Sequence, residues 1–259
     1  NGCCLSQEKY QIARQAQDYK QEHQNKRLRL WVTVGGGGRS DGFAGIAFDE
    51  TKRDRFINEM IVLCHEQGLD GVDFDWEIPS THQELQAYTT LLLEASQKLH
   101  SASLLMSVAL HARQFMPPQL YKAIDRIHLM AYDLEASHVA AYDSVVRAVK
   151  EFKQYGCPVS KMMLGLPAYG RHEQNPSMAK TFSELMDESS HEALSLQEWN
   201  GYRFDSPANV KKKVEFAKQQ GMAGIFFWEL GQDFQHAELG AGGILLEAAA
   251  AEGVAKQSE

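Results

Sequence analysis

Six short apolar runs recur along this chain, and after each the pattern changes from strand-like to helix-like. The runs span residues 28–34, 70–77, 104–110, 126–133, 162–169 and 224–230. The segment 54–67 carries Phe56, Ile57, Met60, Ile61 and Cys64 on one helical stripe and stops at Gly68. Residues 81–100, 143–155, 207–220 and 244–251 read as further helices, and Pro117-Pro118 opens a short one. Such alternation predicts a parallel sheet with helices outside it. The strand ends carry polar or aromatic residues: glycines 35–38, Asp75 and Glu77, His111, Tyr132 and Asp133, Tyr169 and Arg171, Trp228 and Glu229. A barrel collects such ends around one face, whereas an open doubly wound sheet would concentrate them at a single crevice. Residues 6–24 offer a modest surface helix and the first 26 residues no strand. The expected fold is therefore α/β, of (β/α)8 TIM-barrel type, N-terminally incomplete, with about six βα units and two open edges. The expected organisation is one domain over 1–259, with 172–206 a short irregular insertion holding a weak helix near 182–186.

One run stands apart. As a strand, 70–77 sends Asp73, Asp75 and Glu77 to one face and Val72, Phe74 and Trp76 to the other. The plain alternative is a solvated edge face. Three carboxyls at i, i+2 and i+4, however, each raise the cost of ionising the next. At ~3.3 Å rise per residue the α-carbons of Asp75 and Glu77 lie about 6.6 Å apart, so the pair tends to retain a proton. A proton kept on the outer member, Glu77, makes a general acid at neutral pH, with Asp75 ionised or sharing beside it. That arrangement suits cleavage of a glycosidic bond. In a barrel the apolar three pack outward, the acids point inward, and Glu77 lies nearest the mouth. Asp70 is out of phase with them and reads as a structural hydrogen-bonding residue.

The rest of the chain narrows the choice. A net charge of −8 argues against nucleic acid or an anionic surface as partner. No run of 18 apolar residues could span a membrane. Cys3, Cys4, Cys64 and Cys157 leave the redox compartment open, and the ten histidines show no metal spacing. The glycine run lacks the Gly-Lys-Ser/Thr of a phosphate cradle and reads as a tight turn. No charged-then-apolar leader is legible.

The segment Asp70-x-x-Asp73-x-Asp75-x-Glu77 resembles the signature of family 18 glycoside hydrolases, the chitinases and their relatives. Further matches follow in order: Thr33-x-Gly35-Gly36, with Thr for the family's Ser; Met130-Ala131-Tyr132-Asp133; Gly165 through Arg171; and Trp228-Glu229-Leu230. The resemblance runs from about Leu28 to the end and implies that the family's first two βα units are missing. It implies substrate-assisted, retaining hydrolysis of β-1,4 bonds between N-acetylglucosamine units. Glu77 is then the acid/base, Asp75 the partner of the acetamido N–H, Asp73 the residue sharing its proton, and Tyr132 a donor to the acetamido oxygen. Met130, Asp133 and Trp228 would bind the sugar, Trp228 as an apolar floor, with Tyr169 and Arg171 lining neighbouring subsites. Trp228 and Tyr132 could instead be core, and Arg171 could simply pair with an acid. The short 172–206 stretch suggests an endo-acting cleft. The resemblance implies no cofactor or metal, chitin or N-acetylglucosamine oligomers as partner, a monomer and a secreted location. Two alternatives stay open: a non-catalytic chitin-binding lectin, and an endo-N-acetylglucosaminidase or peptidoglycan hydrolase on the same scaffold.

Overall fold

Caps and glycines decide where each element begins and ends. A computed structural model describes residues 7–134, 140–190, 192–235 and 243–254; Cys3 and Cys4 lie outside the described residues. The chain divides into two compact units, Asn1–Ile127 and His128–Glu259.

The first unit runs α1 (Gln7–Glu22), β1 (Trp31–Gly35), α2 (Gly42–Ala47), α3 (Glu50–Gln67), β2 (Gly71–Asp75), α4 (His82–Ser101), β3 (Leu105–His111) and α5 (Pro118–Ala123). Helix α3 starts four residues ahead of the expected Asp54, because Asp49 caps it by accepting the Lys52 N–H. It ends at Gly68 in the left-handed conformation, as the sequence suggests. Thr81 and Glu84 form a reciprocal capping box on α4. The short α2 was not expected, since its two glycines among six residues hide it from propensity.

Strands β1, β2 and β3 pair in parallel, with Thr33 opposite Asp73, Gly35 opposite Asp75, and Asp73 opposite Ser107. Central β2 is buried throughout, while β1 is half-exposed and pairs only with β2 among the described residues. The outer face of β2 packs on helices as expected. Phe74 meets Phe56 of α3 edge-on at 6.3 Å, and Trp76 lies against Phe43 of α2 at 5.4 Å and Tyr88 of α4 at 5.2 Å. Truncating one of these rings would cost about 3–5 kcal/mol, so this cluster anchors the strand that carries the acids. Asp70 is structural, as its phase suggested. Its carboxylate accepts from Lys20 Nζ at 2.8 Å, Arg29 Nη1 at 3.0 Å and the Leu30 N–H at 2.8 Å, tying α1 to the sheet.

Strand β4 (Arg126–Met130) leads from the first unit into the second. The second continues with α6 (Tyr142–Gln154), β5 (Met162–Pro167), β6 (Tyr169–His172), β7 (Asn175–Thr181), α7 (Phe182–Glu188), β8 (Glu198–Trp199), β9 (Tyr202–Arg203), α8 (Pro207–Gln219), β10 (Gly224–Trp228) and α9 (Ile244–Val254). β5 and β10 pair in parallel, from Met163 opposite Gly224 to Pro167 opposite Trp228. The stretch 172–206 is not irregular, which corrects the sequence expectation. It builds most of an antiparallel sheet in the order β7-β6-β9-β8, with α7 capped by Thr181 where the weak helix was expected. The strands escaped notice because β7 is largely exposed and polar and β8 and β9 are only two residues long.

The six expected strands are all present, each in its place in the strand–helix alternation. The architecture is α/β, with six βα units of a (β/α)8 barrel.

Candidate active site

Depth along β2 sorts its three acids. Asp73 is 5% exposed and Asp75 8%, while Glu77, two residues past the last strand residue, is exposed. Asp73 is held in a row of hydroxyls set by the strand register: Thr33 Oγ1 donates to it at 3.3 Å and Ser107 Oγ at 2.5 Å. Thr33 belongs to a recognised motif, but Ser107 was missed. Its signal was a lone hydroxyl in the apolar run Leu104 to Leu110, a group that must find a partner when buried.

Asp75 has no such support. Its Oδ1 is buried without any hydrogen-bond partner among the described residues. Burial, then the neighbouring Glu77 and Asp73 charges, push its carboxyl from the ordinary 3.8 up to about 7, against the opposing pull of Arg39. The raised group is Asp75, the sharing partner of the sequence argument, and the largest cause is its burial. Gly35 makes the close packing here possible. Its φ is +102°, and a Cβ on it would sit 2.1 Å from the Asp75 carbonyl oxygen.

A testable consequence concerns stability. A carboxyl whose pKa is raised on folding favours the native state fully below about pH 4, and that contribution is lost as pH rises through about 7. Asp75→Asn does not titrate. It should therefore be more stable than the wild type at pH 8.5, by on the order of 2–4 kcal/mol, with the advantage vanishing near pH 4. Urea unfolding at the two pH values measures this, and an advantage independent of pH would refute the assignment.

In the second unit a different group forms. Arg171 grips Asp133 at two points, Nε to Oδ1 at 2.5 Å and Nη2 to Oδ2 at 2.6 Å, and Tyr169 donates its hydroxyl to Oδ2 at 2.8 Å. Arg171 thus has the acid partner that was its alternative reading. The Asp133 hydrogen bond raises the Arg171 pKa further, and burial with the Asp133 charge lifts the Tyr169 hydroxyl well above its ordinary value. Asp133 adopts φ +54°, a left-handed conformation that Asp tolerates better than most residues. Tyr132 is buried, its ring edge-on to Tyr169 at 6.3 Å and to Phe226 at 6.2 Å. A Cβ on Gly165 would come 2.7 Å from the Tyr132 ring, so the small residue on β5 leaves it room. Met130 is buried at the end of β4. Trp228 is 44% exposed at the end of β10, which excludes the core alternative for it.

Two further residues were invisible in the sequence. Ser40 and Gln114 are buried in the loops after β1 and β3, and both hydrogen-bond to the backbone around Glu77. Lone polar residues in predicted loops carry no periodic signal.

The sequence pattern of "Glycosyl hydrolases family 18" matches residues 4–233. "Chitinase 1" of Aphanocladium album is 24% identical over 82% of this chain, and the chain spans 63% of that relative's length. A mutant class V chitinase from Nicotiana tobaccum, solved in complex with NAG4, superposes with a TM-score of 0.81 at 20% identity, covering 97% of this chain and 87% of that one. A chitinase-like agglutinin from Robinia pseudoacacia gives 0.80 at 24% identity, covering 97% and 88%. At such identities the likeness to solved structures shows the fold alone.

Proposed function

Since the chain belongs to the family 18 glycosyl hydrolases, we propose that it hydrolyses β-1,4 bonds between N-acetylglucosamine units by substrate-assisted retention. The observation that carries this reading is the buried Asp75 carboxyl with a partnerless Oδ1, next in phase to an exposed Glu77. A buried acceptor left unsatisfied is costly; an acetamido N–H satisfies it, and none of the described residues does.

The steps follow from those two acids. Glu77 gives its proton to the glycosidic oxygen as the bond from that oxygen to the anomeric carbon breaks. The acetamido carbonyl oxygen of the same sugar attacks that carbon from the other face and forms an oxazolinium ring. Asp75 accepts the acetamido N–H, and the proton it holds or shares with Asp73 adjusts the charge beside the cationic ring. The Glu77 carboxylate then takes a proton from water, the oxygen of which attacks the anomeric carbon and reopens the ring. Tyr132 donates to the acetamido oxygen. Met130, Asp133 and Trp228 contact the sugar, Trp228 through its exposed face, and Tyr169 and Arg171 serve neighbouring subsites through Asp133. Endo action, a monomeric state and a secreted location belong to the same reading. Among the described residues no helix is long and apolar enough to cross a membrane.

A lectin on this scaffold would have no use for a proton donor at position 77, and the presence of Glu77 there supports turnover. Incubation with an N-acetylglucosamine hexamer tests the choice. Internal cleavage to di-, tri- and tetramers is expected; binding without any product would sink the hydrolase reading, and release of monomer or dimer alone would sink endo action.

A further inference from the structure

The strand ladder stops short of the proposed acid. The pairing of β2 with β1 ends at Asp75 opposite Gly35, and its pairing with β3 ends at Phe74 opposite Val108. Beyond that point the Trp76–Glu77 peptide has no sheet partner among the described residues, yet it fixes where the Glu77 side chain leaves the backbone. Two buried side chains take over. Ser40 Oγ accepts the Glu77 N–H at 3.0 Å. Gln114 Nε2 donates to the Trp76 carbonyl at 3.2 Å. These are the N–H and the C=O of one planar peptide, and in a trans peptide they point in opposite directions. One clamp therefore grips it from the β1 side and the other from the β3 side.

Each clamp is itself anchored. The Ser40 hydroxyl lies 3.1 Å from the Gly36 carbonyl and 3.2 Å from the Asp75 carbonyl, either of which can accept its proton. Gln114 Oε1 accepts the His111 N–H at 3.3 Å, and its backbone N–H reaches the His111 carbonyl at 2.8 Å. Ser40 is 8% and Gln114 6% exposed, so neither can trade its partner for bulk water. Behind the peptide, the Trp76 N–H faces the Tyr88 hydroxyl at 3.4 Å.

We infer that Ser40 and Gln114 are positioning residues that hold the Trp76–Glu77 peptide in the orientation from which Glu77 reaches the leaving oxygen. The inference rests on the hydrolase reading of Glu77. Its physical basis is tolerance: a displacement of about 1 Å of a reacting group can cost on the order of 100-fold in rate. A misplaced acid harms only those reactions that need its proton.

That selectivity supplies the test. Ser40→Ala, Gln114→Met and Ser40→Thr are compared with the wild type and Glu77→Gln on two substrates. One is an N-acetylglucosamine oligomer, the leaving group of which must be protonated. The other is the matching 2,4-dinitrophenyl glycoside, the phenolate of which departs unprotonated. The measured quantity is kcat/KM, which reports the first bond-breaking step. For Ser40→Ala and Gln114→Met the oligomer value is expected to fall about 10- to 100-fold and the aryl value less than about threefold. Ser40→Thr keeps the hydroxyl and should restore most of the oligomer rate. Thermal unfolding checks that each variant folds; if Ser40→Ala does not, Gln114→Met with the Ser40→Thr control decides. Equal losses on both substrates, or none, overturn the clamp. If Glu77→Gln shows the selective loss and the clamp variants do not, the clamp alone fails. A wild type inactive on both substrates removes the hydrolase reading and the clamp with it.

Discussion

Glu77→Gln should lower kcat on N-acetylglucosamine oligomers by about 10²- to 10⁴-fold while oligomer affinity changes by less than about threefold. The glutamine has the same length and shape and keeps the backbone N–H bonded to Ser40, so the local structure has no reason to move. What is lost is a proton that can be given and taken back. Glu77 is exposed at the end of the acid face, where a substrate oxygen can meet it, whereas Asp73 and Asp75 lie deeper. The change also removes the Glu77 charge, which helps to raise Asp75. Asp75 in the variant should therefore ionise at lower pH, and the stability lost between pH 4 and 7 should shrink. A variant keeping more than a tenth of wild-type kcat would remove Glu77 from the chemistry.

A large effect on stability is expected within the second unit. Lys213 of α8 and Asp205 form an ion pair with both side chains wholly inaccessible. The ammonium also donates to the Ala140 carbonyl at 2.6 Å, and Asn209 donates to the other Asp205 oxygen. Burial drags the Lys213 pKa down while Asp205 pulls it back up. Such a pair adds little over an apolar replacement, but breaking it from one side strands a charge. Lys213→Met is expected to cost about 3–5 kcal/mol in urea unfolding, and the double variant Lys213→Met/Asp205→Asn to recover much of that. A single variant within about 1 kcal/mol of wild type would mean that water reaches Asp205 after all.

How much of this could be read beforehand depended on periodicity. The acid face of β2 was legible because period-2 alternation survives when both faces are buried for different reasons. The other five strands of the alternation were legible as short apolar runs between helical patterns. Where periodicity failed, so did the reading. β8 and β9 are too short to show a period, and the two glycines of α2 conceal a helix that supplies Phe43 to the Trp76 cluster. Ser40 and Gln114 act through single hydrogen bonds, for which spacing has no signature. Spacing along a strand gives the repulsion between Asp75 and Glu77 but not burial, which is the largest cause of the raised Asp75 carboxyl. Trp228 turned the other way: its apolar surroundings in sequence suggested core as an alternative, and its place at the end of half-exposed β10 leaves it in solvent.

The central claim is that the substrate's own acetamido group does the work of a nucleophile beside Asp75 and Glu77. It is tested most directly by the anomeric form of the first product. Proton NMR of a freshly mixed hexamer digest, read before mutarotation, should show new reducing ends in the β configuration. New reducing ends appearing first as α-anomers would mean direct displacement by water, and would contradict the account.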